Sequence, residues 1–230
     1  MARVAGGQQM KSHKKVHGER QEIGVLVCFA LEVEAAPFRK LAMTIPDVTI
    51  LITGIGPKNA EAVLRRFLKR RLPKMVLTCG FAGGLSPELE IGDVVFMTGY
   101  PALEERFANA DARMANFVTA PRIATTVTEK KKLRAETGAD VVEMESGAIL
   151  AVCRESQIPC AMVRAISDTA GEDLPLDFNV LSKPDMSLDY SRLAWAVARS
   201  PRKIGALLQL HKKTSVAAQR LADVLAKAIW

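Results

Sequence analysis

Two segments constrain this chain more than any other: Val142-Glu143-Met144-Glu145-Ser146 and Val163-Arg164-Ala165-Ile166-Ser167-Asp168. In each, carboxylates sit where an apolar run with strand character gives way to a helix or loop. That edge of an α/β sheet is where ligands bind, and charge placed there is costly unless something pairs with it. Between the segments, Ser146 to Ser156 predicts one helix, with Ile149, Val152 and Cys153 at the spacing of a buried face. Pro159 ends it, and Cys160-Ala161-Met162-Val163 reads as a core strand. Such a strand–helix–strand unit brings Glu145 and Asp168 to the same sheet edge.

The rest of the chain continues the alternation. Strands are predicted over Ile23 to Phe29, Val48 to Thr53, Met75 to Cys79 and Asp93 to Thr98, with helices over Glu32 to Leu41 and Pro57 to Arg71. Tyr100 to Asn116 has no clear pattern, Val118 to Val127 reads as extended, and Glu129 to Thr137 as a short helix. After Phe178 comes a loop, then helices around Ser191–Arg199, Pro201–Leu210 and Thr214–Ile229. This order predicts an α/β fold, a three-layer α/β/α sandwich around a central mixed sheet. With 49% hydrophobic residues over 230 positions, residues 21–230 are expected to form a single domain. Residues 1–20 read as a disordered basic tail or tag, in which Gly6-Gly7-Gln8-Gln9-Met10 is similar to part of an expression leader.

Counting residues excludes several chemistries. Of the three histidines, His13 and His17 lie in the tail and His211 in the C-terminal helices, so neither a Ser-His-Asp triad in the core nor a His-based zinc site can form. Cys28, Cys79, Cys153 and Cys160 fall in strands or apolar helix faces with no CxxC pair, and are expected to be buried free thiols. No metal site and no cofactor is expected. Acid–base work falls to carboxylates, which suits glycosidic-bond chemistry. The net charge of +7 is concentrated at the ends: residues 192–230 hold eight Lys/Arg and one acid, and residues 1–20 hold five and one. The intervening body is mildly acidic, which argues against a nucleic-acid groove. No apolar run approaches the roughly 20 residues of a membrane span, and no secretory leader is apparent, so a cytoplasmic location is expected.

Two glycine motifs precede the acidic pair. Gly54-Ile55-Gly56, after a strand and before a helix, offers N–H groups to an anion or a sugar. A dinucleotide-binding turn has the same form, but it expects an acid at the end of the next strand, where Cys79-Gly80 stand. A plain tight turn is the third reading. Gly80-Phe81-Ala82-Gly83-Gly84 lets backbone approach a flat ligand closely, or is simply a strand-ending loop.

Taken in order, Thr53-Gly54-Ile55-Gly56, Gly80-Phe81-Ala82-Gly83-Gly84-Leu85, Glu143-Met144-Glu145-Ser146 and Arg164-Ala165-Ile166-Ser167-Asp168 resemble the purine nucleoside phosphorylase/uridine phosphorylase superfamily. The likeness runs from about Ile23 to Phe178, toward the branch of methylthioadenosine/S-adenosylhomocysteine nucleosidases. The short middle region and basic C-terminal helices look more like the hopanoid-associated phosphorylases, which act on an adenosyl-linked triterpenoid. The resemblance implies a nucleoside substrate and catalytic roles for Glu34, Glu145 and Asp168. Glu34, in Ala30-Leu31-Glu32-Val33-Glu34, would activate water or contact the ribosyl hydroxyls, while Glu32 faces solvent. Glu145 would hold the ribose with Met144 packed on it, and Asp168, beside Ser167, would share a proton with the purine N7. Ile55, Gly56, Gly80, Phe81 and Ala82 would line the site. At the position of Phe81 the nucleosidases commonly carry serine, so a more apolar pocket is expected. Ile123 and Ala124 would offer main-chain groups and an apolar wall to the base, and Phe178 a ring to the sugar, unless it belongs to the core.

Arg164, alone in an apolar strand, needs a carboxylate partner, and Glu143 and Glu145 are the candidates. Glu143 itself reads as structural or substrate-binding. The resemblance leaves water and phosphate open as nucleophile. Phosphate as co-substrate needs an arginine cluster, with Arg164, Arg106, Arg122 and Arg39 available. Residues 191–230 present either a solvated outer face or a basic amphipathic surface for peripheral contact with anionic lipid, and relatives in the family imply a homo-oligomer. A nicotinamide-dependent oxidoreductase and a non-catalytic nucleoside-binding protein are the rival classes.

Overall fold

The computed structural model describes residues 20–181 and 203–229. The tail at residues 1–19 and the helix expected over Ser191–Arg199 lie outside the described residues. Eight strands form one mixed sheet in the order β2-β1-β3-β8-β4-β5, with β6 and β7 joined to it through β3. They are β1 (Gln21–Phe29), β2 (Val48–Ile52), β3 (Arg71–Gly84), β4 (Val94–Thr98), β5 (Arg113–Met114), β6 (Phe117–Thr119), β7 (Val141–Glu143) and β8 (Cys160–Asp168). The helices are α1 (Glu32–Ala42), α2 (Pro57–Leu68), α3 (Pro101–Asn109), α4 (Val127–Thr137), α5 (Ser146–Glu155), α6 (Phe178–Leu181) and α7 (Lys203–Ile229).

Strand alternation separates two cores, as period-2 side-chain geometry requires. Val27, Phe29, Leu77, Cys79, Val163 and Ala165 point to one face, where they meet Phe38 of α1, Phe107 of α3 and Leu221 and Leu225 of α7. Leu26, Cys28 and Val76 point to the other, under Ala60 and Leu64 of α2 and Ile149, Val152 and Cys153 of α5. The expected α/β/α layering follows. Each fully buried leucine in these layers contributes about 1.5–3 kcal/mol.

Several elements differ from the sequence reading. The pattern between Tyr100 and Asn116 resolves into α3, with Pro101 in its first turn and Leu103 and Phe107 buried at i, i+4, followed by β5. The extended run predicted over Val118 to Val127 is shorter, because β6 ends at Thr119 and α4 already starts at Val127. The helices expected at Pro201–Leu210 and Thr214–Ile229 are one helix, α7. Its second half is not a solvated face: Ala217, Ala218, Leu221, Ala222, Val224 and Leu225 are all buried. No helix among the described residues is long and apolar enough to cross a membrane.

The largest difference concerns β3, which does not stop at Cys79 but runs on through Gly84. Its extension is flanked on both edges. Gly83 pairs with Val142 of antiparallel β7 and also with Asp168 of parallel β8. The two acidic segments therefore meet at one end of the sheet, on opposite sides of β3.

Candidate active site

At that end lies a cavity of about 950 Å³, lined by Glu34, Met144, Glu145, Ser167 and Asp168 together with Ile55, Phe81, Ile123, Ala124 and Phe178. The three carboxylates read as catalytic in the sequence thus border one space. Each arrives by a different local device.

Glu34 is on the first turn of α1. Its Oε2 accepts the Leu31 N–H at 2.8 Å and its Oε1 accepts the Phe81 N–H at 2.9 Å. Burial raises its pKa to about 7, and the two N–H bonds offset only part of that rise. Gly80 does not line the cavity but makes room for Glu34, since a Cβ there would lie 2.7 Å from Oε1.

Glu145 precedes α5, and its Oε1 accepts the Gly56 N–H at 2.8 Å. Burial shifts its pKa upward too. Gly56, with φ at +89°, therefore spends its N–H on a side chain and not on a ligand anion. A dinucleotide pyrophosphate at this turn would face the Glu145 carboxylate, which disfavours that reading.

Asp168 closes β8. Ile166 pairs with Ala82 and Asp168 with Gly83, so Ser167 is the extra residue of a bulge, and this irregularity re-aims the strand end. The Ser167 hydroxyl donates to Asp168 Oδ1 at 2.8 Å, and Lys130 Nζ lies 2.5 Å from Oδ2.

Four residues expected in the site have other duties. Arg164 is fully buried and does not border the cavity. Its Nη2 bonds Glu143 at 2.9 Å, Ser146 at 2.7 Å and Thr78 at 3.2 Å, which identifies Glu143 as the partner. Glu143 borders the cavity, but its carboxylate is taken up by Thr119 and by the N–H groups of Glu145 and Ser146 as well. Burial alone would raise its pKa, yet Arg164 and these bonds hold it below the usual value. Ala82 packs into a core cluster with Val95, Val141 and Ile166 instead of facing the cavity. Ile123 lines the cavity, but its N–H and C=O are both engaged by the Asn179 side chain at 2.9 and 3.0 Å. Its main chain is not open to a base in this conformation.

Of the four arginines considered for phosphate, only Arg122 borders the cavity, and it pairs with Glu129 at 2.6 Å. Arg39 bonds Glu32 in solvent, as expected of Glu32, and Arg106 lies exposed on α3. Among the described residues no group of three or more His, Cys, Asp and Glu is arranged to hold a metal ion.

The sequence reading missed Lys130 and the apolar wall of Leu31, Val33, Leu174 and Leu210. Thr126-Val127-Thr128-Glu129 is a capping box, with Glu129 accepting from Thr126 N–H and Thr126 from Glu129 N–H. That signal would have started α4 at Val127, and Lys130 would then share a helical face with Leu133.

The likeness to known proteins is consistent with this geometry. A 5′-methylthioadenosine/S-adenosylhomocysteine nucleosidase of Glaesserella parasuis is 32% identical over 169 residues, covering 58% of this chain and 73% of the relative. An aminodeoxyfutalosine nucleosidase of Campylobacter jejuni is 25% identical over 166 residues, covering 58% and 72%. In fold, the chain is similar to the futalosine hydrolase of Helicobacter pylori, at a TM-score of 0.66 and 16% identity over 91% of this chain and 97% of that one. It is equally similar to a Neisseria meningitidis 5′-methylthioadenosine/S-adenosylhomocysteine nucleosidase in complex with methylthio-immucillin-A, at a TM-score of 0.65 and 20% identity over 90% and 98%. Residues 35–115 and 102–199 match the phosphorylase superfamily, and with most of its length so accounted for, the chain belongs to that family.

Proposed function

We propose that this chain hydrolyses the N-glycosidic bond of an adenosine-type purine nucleoside and releases the free base. Kinship with nucleosidases supports a nucleoside-cleaving enzyme. The observation that carries the reading is the single cavity bordered by Glu34, Glu145 and Asp168. Asp168 supports protonation of the leaving base. Glu145 accepts hydrogen bonds from the ribose hydroxyls, with Met144 and Phe178 against the sugar. As the bond to the base lengthens, the sugar gains oxocarbenium character, which these carboxylates stabilise electrostatically. Glu34, poised near neutrality, takes a proton from the attacking water.

Water is preferred over phosphate on charge. Four carboxylates border the cavity, and among the described residues the nearby cations are already spent, Arg122 on Glu129, Arg164 on Glu143 and Lys130 on Asp168, so a phosphate anion would meet Glu34 and Glu145 with no free cation to hold it. The volume lies near the top of the ordinary range for small-molecule pockets, roughly 300–1,000 Å³, and Leu31, Val33, Leu174 and Leu210 provide an apolar wall. Both support a substrate with a bulky apolar 5′ substituent. Exposed Ile204 and Leu208 on α7, next to Lys203 and Lys212, extend the same reading to peripheral contact with anionic lipid. Self-association is carried with it on the strength of the resemblance.

The test is product analysis with 5′-substituted adenosines, with and without phosphate. Free adenine and free pentose are expected in both, and Asp168→Asn should abolish release. Ribose 1-phosphate appearing only with phosphate would convert the reading to phosphorolysis. Binding without any adenine release would leave a nucleoside-binding protein.

A further inference from the structure

Lys130 is the middle of nothing obvious in sequence, the first of three consecutive lysines on α4, yet its side chain is 0% exposed while Lys131 and Lys132 lie in solvent. Its Nζ donates to the main-chain oxygens of Thr169 at 2.7 Å and Glu172 at 3.0 Å, and its third partner is Asp168 Oδ2 at 2.5 Å. All three ammonium donors are thus spent. A buried ammonium is retained only where a partner compensates it, and here that partner is the carboxylate facing the cavity. Ser167 donates to the other oxygen. Asp168 is held as an anion, and an anion has no proton of its own to give. The nearby charges are otherwise matched: Glu172 with Lys213, Glu129 with Arg122, and Asp173 with the Val127 N–H.

We propose that Lys130 is the source of the proton delivered to the departing base, acting through Asp168 as a positioning residue. The inference rests on the nucleosidase reading of the same cavity. When the C1′–N bond breaks, its electron pair goes to the base. A proton passes from Lys130 Nζ to the Asp168 carboxylate and from Asp168 to a ring nitrogen of the base, leaving Lys130 a neutral amine and Asp168 again a carboxylate. Water adds to C1′ and loses its proton to Glu34. After product release, Asp168 meets solvent, Lys130 regains a proton through it, and Glu34 gives one up. The sum is nucleoside plus water to sugar plus base, with no proton gained or lost.

The experiment compares two substrates: 5′-methylthioadenosine, whose base needs a proton to leave, and p-nitrophenyl riboside, whose phenolate does not. Lys130→Met is expected to lower kcat on the purine substrate ~100-fold, but on the nitrophenyl riboside by less than about tenfold, with KM little changed. Lys130→Arg keeps the cation but does not give up a proton, so the purine rate should stay low, and its recovery would overturn the relay by showing that only the charge is needed. Equal falls on both substrates, or an unchanged purine kcat, would overturn the proposal. Should Lys130→Met fail to fold, the unmodified enzyme carries the test. In D2O its kcat should fall more on the purine than on the nitrophenyl riboside, because further protons move only in the purine step, and equal falls overturn the relay. If the unmodified chain releases neither adenine nor nitrophenolate, the nucleosidase reading itself is lost, and the relay with it. Release of both with parallel losses removes only the role of Lys130.

Discussion

Gly80 and Glu34 are fitted to each other: a methyl group on Gly80 would lie 2.7 Å from Glu34 Oε1, the oxygen that accepts the Phe81 N–H. Gly80 also holds φ at +152°, a conformation other residues rarely adopt. Three residues along the same strand, a Cβ on Gly83 would lie 3.1 Å from Asp168 Oδ2. The two glycines leave room for two carboxylates brought in by separate elements. Gly80→Ala should therefore displace Glu34, lowering kcat roughly 100-fold and stability by about 1–3 kcal/mol. Urea unfolding and steady-state kinetics check both, and wild-type values for either would show that the fit is looser than these distances indicate.

As the proposed general base, Glu34 should also set the acid limb of the pH profile. Burial raises it from 4.5 to about 7, and a general base works only when ionised. The kcat/KM value should fall tenfold per unit as pH drops below about 7, with a plateau above. A limb at the ordinary carboxylate value would exclude Glu34 as the base. The stability sign is opposite. The folded chain holds this proton more firmly than the unfolded one, so the contribution is full below 4.5 and is lost as pH rises through about 7.

What the sequence revealed and concealed follows from the range of each interaction. Glu145 and Asp168 were legible at one sheet end because the strand, helix and strand carrying them are local and strongly patterned. The predicted strand stops at Cys79, five residues short of the end of β3, because glycine weakens a strand signal. Here glycine instead lets a central strand pass between Val142 and the carboxylates of Glu34 and Asp168. Lys130 was hidden among identical neighbours whose charge reads as a solvated face. The amide of Asn179 closing on Ile123 spans 56 residues, and no local periodicity encodes a side chain that substitutes for a strand partner.

The apolar wall makes a graded prediction. If Leu31, Val33, Leu174 and Leu210 receive the 5′ substituent, each added methylene in a 5′-alkylthioadenosine series should lower KM by up to about fourfold, the equivalent of ~0.8 kcal/mol per buried CH₂. The gain should stop once the chain reaches solvent. Leu210→Ala should blunt it, because α7 supplies that part of the wall. A series that is flat or worsens from its first member would point to a small or polar 5′ group.

The Arg164–Glu143 pair predicts behaviour that no substrate is needed to see. Both side chains are almost wholly buried, at 2% and 0% exposure, and their atoms are 2.9 Å apart. Removing the cation in Arg164→Met leaves Glu143 uncompensated, at a cost of about 3–5 kcal/mol at neutral pH. Arg164→Met combined with Glu143→Gln should recover much of this, since the charge itself is then gone. Acid supplies the sign check. In the wild type, Arg164 holds Glu143 below its ordinary 4.5, so its contribution is present above 4.5 and lost as pH falls through the depressed value. In Arg164→Met, desolvation raises Glu143, and protonation relieves the buried charge. The stability gap between the two proteins, measured by urea unfolding, should therefore narrow as pH drops from about 7 toward about 4. A gap that stays constant would mean that Glu143 takes up no extra proton in the variant, so that its charge is not left uncompensated there and Arg164 stabilises the sheet by packing alone.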